Sequence, residues 1–242
     1  DPAGFYGDLL PVLQETNLAI VNLEGVLSDG ELQPIIKDGP VIRLPASLVG
    51  GLTMVPFHLA CLANNHTLDY GSEGLGGTME VLARHGIQFV GAWLNGEAAE
   101  AAKIIEFGPT RLAVINVAEG EECRSVNGGP GAASLDLPRL QKQIASLRKE
   151  ADIILVLPHA GREHLPIPAP HIRKLYRSLA EAGADLIIGH HPHMPQGIEY
   201  YKGTLIAYSL GNFAFLMESP LEFHHLGYFF KTRFRGSHVQ NV

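Results

Sequence analysis

The chain has 242 residues, 46% hydrophobic and 18% charged, the balance of an ordinary globular protein with a well-filled core. Its net charge of −7 argues against a nucleic-acid partner held by a general basic field, although bound cations can invert the local charge of a cleft. Cys61 and Cys123 are too few for a disulfide framework or a Cys-x-x-Cys centre, and no run approaches the ~18 apolar residues that span a bilayer.

In chain order, residues 9–15 read as helical and residues 18–23 as a first buried strand. Residues 57–63, 112–117, 153–157 and 186–189 read as further buried strands. Residues 72–85, 139–150 and 171–182 carry helical spacing, the last ending at Gly183, a good helix stop. Residues 104–107 with 111–114, and 198–201 with 204–208, read as hairpins, and residues 227–234 as a last strand. Residues 119–133, rich in glycine and charge, read as a surface loop. The pattern predicts an α/β fold of layered mixed sheets, with parallel crossovers and antiparallel pairs, in one domain over 1–242.

Five of the strands end in ligand-type groups: Asn22-Leu23-Glu24, Asn64-Asn65-His66, His159 with Arg162 and Glu163, Gly189-His190-His191-Pro192-His193, and Ser209-Leu210-Gly211-Asn212. Strand ends at one edge of an α/β sheet converge on a crevice, the usual place for a ligand. Three imidazoles in four positions are hard to explain as packing, and imidazole is the commonest protein ligand for transition ions. On extended backbone His191 and His193 would point to one side.

Each group also has a plainer reading. Glu24 can bridge two cations with its two oxygens, or cap the turn at Gly25. Asn65 offers an amide oxygen as a ligand and His66 a ring towards substrate, whereas Asn64-Asn65 can also be an Asx turn. His159 alone reads as a satisfied core histidine; beside the other clusters it reads as a ligand. Arg162 and Glu163 either orient His159, contact substrate, or form a solvated pair. Asp69 shapes the loop after His66 and can hydrogen-bond an imidazole. Neither the pair His224-His225 nor His58, His85, His164 and His171 has a ligand context.

These motifs, with Asp69-Tyr70-Gly71, Gly183-Ala184-Asp185 and Tyr208 to Phe213, resemble those of the CapA family of bacterial poly-γ-glutamate capsule biosynthesis proteins, a branch similar to the calcineurin-like metallophosphoesterases. The resemblance runs from about Gly4 to Phe215. It implies a four-layer α/β/β/α sandwich with a divalent two-metal site of manganese, iron or zinc. Glu24 would be the bridging carboxylate, Asn65, His159 and His191 would complete one metal, and His193 would bind the other. His66 would be the general acid, with Glu163 a second catalytic candidate. Asn22, Asn64, Asp69, Arg162, His190 and Asn212 would support the site or contact substrate.

Two departures bear on this. The superfamily begins with a strand carrying an aspartate ligand, and Gly7-Asp8 precedes a helix instead. Either that strand was removed or one metal site is incomplete, in which case no metal need bind. Capsule proteins usually carry a Trp after the lone His and a Tyr after the loop Glu; here the run is His159-Ala160-Gly161-Arg162-Glu163-His164. The implied reaction is metal-dependent hydrolysis of a phosphoester, polyglutamate or peptide substrate in capsule synthesis. Two rivals are a peptide Cα epimerase of the lasso-peptide type and a non-catalytic scaffold binding capsule polymer or a synthase complex. A start at Asp1 without a methionine leaves a removed leader, anchor or first element open. The expected place is bacterial: the cell surface if an anchor preceded Asp1, otherwise the cytoplasm.

Overall fold

The computed structural model describes residues 6–55, 57–120, 122–215, 218–235 and 238–240. The chain is mixed α/β, and its contacts divide it into two compact units, residues 1–101 with 120–134, and residues 102–119 with 135–242. Among the described residues, no helix is long and apolar enough to cross a membrane.

The first unit is built on three parallel strands, β1 (Ala19–Asn22), β2 (Phe57–Cys61) and β3 (Gln88–Val90), in the order β1-β2-β3. Helix α1 (Gly71–Arg84) follows β2. It buries Leu75, Thr78, Met79 and Leu82, spaced three and four apart as one helix face requires. That face closes on Leu23, Leu27, Ala60 and Leu62. Because the strands are parallel, β1 and β2 deliver Glu24 and Asn64–His66 to the same edge of the sheet.

The second unit holds a six-stranded sheet of β4 (Lys103–Phe107), β5 (Thr110–Ala118), β6 (Ile153–His159), β7 (Leu186–Ile188), β8 (Ile198–Tyr201) and β9 (Thr204–Ala207). Their order is β8-β9-β7-β6-β5-β4. The four central strands are parallel; β4 on β5 and β8 on β9 are the antiparallel hairpins expected from the sequence. All seven residues of β6 are buried, consistent with a continuous apolar run in the middle of a parallel sheet. Helix α2 (Leu137–Leu147) starts where the Asp136 side chain accepts from the Arg139 N–H at 2.9 Å, and it buries Leu140, Ile144 and Leu147. Helix α3 (Pro170–Glu181) has proline in its first turn and buries Ile172, Tyr176 and Leu179. It lies between β6 and β7, so His159 and His190 leave neighbouring strands side by side and form an isolated bridge.

Two expectations fail. Of the predicted last strand only Arg233 and Phe234 lie in a strand, Arg233–Arg235, which pairs with His238–Gln240. Residues 227 and 228 run back along the turn after β9 instead, the Tyr228 N–H donating to the Leu210 carbonyl at 2.7 Å. The apolar side chains Leu226, Tyr228 and Phe229 are exposed, so this run lacks the buried alternate face that a sheet position needs. The loop 119–133 also carries a short strand, Gly131–Ala132, which pairs with Ala92–Trp93.

Candidate metal centre

At the strand edge of the first unit, the Glu24 carboxylate receives the Asn22 amide on Oε2 at 3.3 Å and faces His66 Nε2, 3.9 Å from Oε1. Asn22 Oδ1 is buried and accepts no hydrogen bond from the described residues, an acceptor suited to a cation or to its water. Asn64 makes the Asx turn that the sequence allowed for. Its Oδ1 accepts from the His66 N–H at 3.0 Å, and its amide donates to the Leu23 carbonyl at 2.9 Å. Asn64 thereby ties the ends of β1 and β2 together.

His66 is 3% exposed, and its Nδ1 lies 2.7 Å from Asp69 Oδ2. Asp69 is wholly buried; it also accepts from the Ile42 N–H at 2.6 Å and pairs with the Lys37 ammonium at 2.5 Å. Lys37 reaches in from the irregular loop before Ile42, donates to the Asn65 carbonyl at 3.0 Å, and has a side chain only 5% exposed. The Asp69 carboxylate is thus surrounded by a cation, a backbone amide and an imidazole. It fixes the His66 ring with Nδ1 inward and Nε2 towards Glu24.

In the second unit His159, 1% exposed, places Nε2 3.2 Å from His191 Nδ1. Two imidazole ligands of one ion stand about 3.3 Å apart when each metal–nitrogen bond is 2.0–2.1 Å. This donor pair therefore fits a divalent transition ion. The backbone here departs from expectation. His191 and His193 have φ of 100° and 55°, the left-handed region that non-glycine residues rarely enter, so the loop turns and does not run extended. His191 consequently faces His159, while His193 Nδ1 meets Asn212 Oδ1 at 2.8 Å. The distortion comes from hydrogen bonds on both sides of the loop. Gly189 N–H donates to Ala207, His190 N–H to Pro158, and His164 N–H to the Pro192 carbonyl.

His190 is half-buried and joins β6 to β7 through its backbone, accepting from the Ala160 N–H at 3.1 Å. Arg162 and Glu163 are exposed; Glu163 lies 4.0 Å from His164 Nε2. Three residues here had no visible role in the sequence. Lys37 carried no local signal. His164 stands where capsule proteins usually carry Tyr, and His224 lies in what read as a tail; their Nε2 atoms approach to 3.1 Å. Burial first, then the neighbouring His164 and His193 charges, push the His224 imidazole below its usual range.

The chain is 35% identical over 156 residues to the PGA biosynthesis protein CapA of Bacillus subtilis, covering 63% of this chain and 41% of that protein. It is 30% identical over 227 residues to a probable polyglutamine synthesis accessory protein of Mycobacterium tuberculosis, covering 86% of this chain and 58% of the relative. The chain thus spans about two fifths to three fifths of these relatives' lengths. A phosphatase from Mycoplasma pneumoniae superposes with a TM-score of 0.55 at 13% identity, over 87% of this chain and 66% of that one, a likeness that shows the metallophosphoesterase fold. The family model of the bacterial capsule synthesis protein PGA_cap matches residues 1–217. The chain belongs to that family.

Proposed function

We propose that the chain is a metal-dependent hydrolase of the phosphoesterase type, acting on a polyglutamate-related or phosphoester substrate in capsule synthesis. The observation that carries this reading is His66. Its Nδ1 is taken by Asp69, so Nε2 is the one ring nitrogen left to exchange a proton, beside Glu24 and adjoining Asn65 in sequence.

In this reading Glu24 and Asn65 of the first unit, and His159, His191 and His193 of the second, would be the residues that hold divalent cations. When bound, the cations lower the pKa of a water and polarise the scissile group. The chain's own groups do the rest. Glu24 accepts from the Asn22 amide. His66 Nε2 carries the proton to the departing atom, and Asp69 with Lys37 keeps the ring from turning. Asn212 holds the His193 ring through its Nδ1. The polyglutamate assignment draws on the names of the relatives; the phosphoester assignment draws on the fold.

The test is hydrolysis of an activated phosphodiester and of poly-γ-glutamate by manganese-, iron- or zinc-loaded protein, compared with His66→Ala. The expected result is a rate loss of about 10²–10⁴-fold with metal content retained. Equal rates for the two proteins would overturn the acid role. Deuterium uptake at Cα of a peptide without hydrolysis would replace the reading with an epimerase.

A further inference from the structure

We propose that the hollow bounded by Ile167, Pro168 and the start of β8 binds a carboxylate-bearing polymer, with Arg173 of α3 taking one of its carboxylates. The proposal deepens the hydrolase reading by giving a polyglutamate chain a second hold away from the histidines, and it rests on that reading only for the choice of polymer.

The hollow measures about 310 Å³, at the lower end of the range for small-ligand sites, and all its lining residues belong to the unit of residues 102–119 and 135–242. Ile167, Pro168 and Ile198 supply its apolar lining, and Arg173, Glu199 and Tyr208 its polar lining. Hydrogen bonds hold these stretches in place. The buried Gln196 side chain donates to the Leu165 carbonyl at 2.9 Å and ties down the strap that leads to Ile167. The Gln196 and Tyr208 N–H groups donate to the Ser209 and Gly197 carbonyls at 3.0 and 3.1 Å, which continues the β8–β9 ladder past Ile198.

Charge decides what the hollow takes. Glu199 brings no spare negative charge, because its two oxygens accept from Arg177 at 2.9 and 2.8 Å and Oε1 also from the Tyr208 hydroxyl at 2.7 Å. Arg173 is exposed, one helical turn before Arg177, with the exposed Lys174 beside it. Among the described residues, neither Arg173 nor Lys174 makes an ion pair. The carboxylate on the same helix, Glu181, is taken by Lys202 and the Tyr201 hydroxyl. In a chain of net charge −7 this is a local positive surface, and it draws an anion.

An arginine fork takes a carboxylate through two parallel N–H bonds. Ile167 and Ile198 are 70% and 50% exposed, and they offer apolar contact to the methylene groups between successive carboxylates. A nucleic acid fits less well. Among the described lining residues the aromatic ring is that of Tyr208, which is buried and stacked on Tyr176 and so has no face for a base. Gly197 follows His193 by four residues and Ile167 follows His164 by three, spans of at most about 14 and 11 Å. A long chain engaged at the histidines can therefore reach the hollow, whereas a short one cannot use both.

The experiment reads binding apart from turnover. Fluorescein-labelled poly-γ-glutamate is titrated with the whole chain and followed by anisotropy, for wild type, Arg173→Ala, Ile167→Asp and, as control, Lys142→Ala on the exposed side of α2. Arg173→Ala and Ile167→Asp are each expected to weaken binding about tenfold, the loss of one charge-assisted contact, with the control unchanged. Added salt should weaken the wild type more than Arg173→Ala. Wild-type affinity in both variants, or no binding by the wild type, would overturn the proposal. So would equally tight binding of single-stranded DNA carrying the same number of charges. Hydrolysis is assayed on the same samples: Arg173-dependent binding without hydrolysis would remove the hydrolase reading and leave this site, and hydrolysis with Arg173-independent binding would do the reverse. Both replaced side chains are exposed, so the variants report on the hollow without disturbing the core.

Discussion

The Asp69 carboxylate lies between His66 Nδ1 at 2.7 Å and the Lys37 ammonium at 2.5 Å, and all three side chains are buried. This is a charged pair inside the protein with an imidazole attached, so removing one member leaves the other unpaired out of water. Lys37→Met is expected to destabilise the protein by about 3–5 kcal/mol. Denaturant unfolding would measure it; a change below about 1 kcal/mol, the scale of an exposed pair, would contradict the buried-pair account.

Gly189 cannot be enlarged. A Cβ there would stand 2.2 Å from the Tyr208 carbonyl oxygen and 2.7 Å from the Tyr176 hydroxyl, because the chain leaves β7 packed directly on the turn after β9. Tyr176 stacks on Tyr208 at 5.5 Å and has little room to yield. Gly189→Ala is therefore expected to cost about 1–3 kcal/mol and to displace His190–His193. Thermal unfolding and metal content should fall together, and an unchanged melting temperature would refute the close packing.

Most strands of the two sheets were legible in the sequence because they are short, apolar runs, several of which end in a polar cluster; Gln88–Val90, three residues long, was not. Residues 153–157 and 186–189 needed no tertiary knowledge to place, and the helices were readable from three-and-four spacing such as Leu140, Ile144 and Leu147. Two-residue ribbons such as Val26–Leu27 with Arg43–Leu44 carry no period and were invisible. Lys37 was illegible for a different reason. It is one lysine in an irregular loop, and its burial follows from a turn 32 residues further on. His164 and His224 are 60 residues apart and meet only when Asn212 draws the chain after β9 back onto the His193 loop.

His191 and His225 make a direct test of ligand against bystander. His191 faces the buried His159 at 3.2 Å, whereas His225 is exposed with a weak contact to the Ser219 carbonyl at 3.4 Å. His191→Ala is expected to lower bound metal and abolish hydrolysis; His225→Ala should change neither. Unaltered metal content in purified His191→Ala protein would remove His191 from the ligand set.

The last prediction concerns acid stability and lies away from the site. Arg177 Nε and Nη2 donate to the two Glu199 oxygens at 2.9 and 2.8 Å, and the Tyr208 hydroxyl donates to Oε1 at 2.7 Å, joining α3 to β8 and β9. The Arg177 hydrogen bonds are the main reason that the Glu199 carboxyl is held at about 2, below its ordinary 4.5. A carboxylate whose pKa is lower in the folded state stabilises the fold above its unfolded value, and that stabilisation fades as pH falls through the folded value. Wild type should thus be more stable than Glu199→Gln at neutral pH, with the difference shrinking between about pH 5 and pH 2. Both side chains are partly exposed, at 35% and 26%, so added salt should narrow the gap as well. Melting curves of the two proteins over that range would decide the matter: parallel pH dependence would mean that the Arg177 bonds do not hold the Glu199 charge in solution.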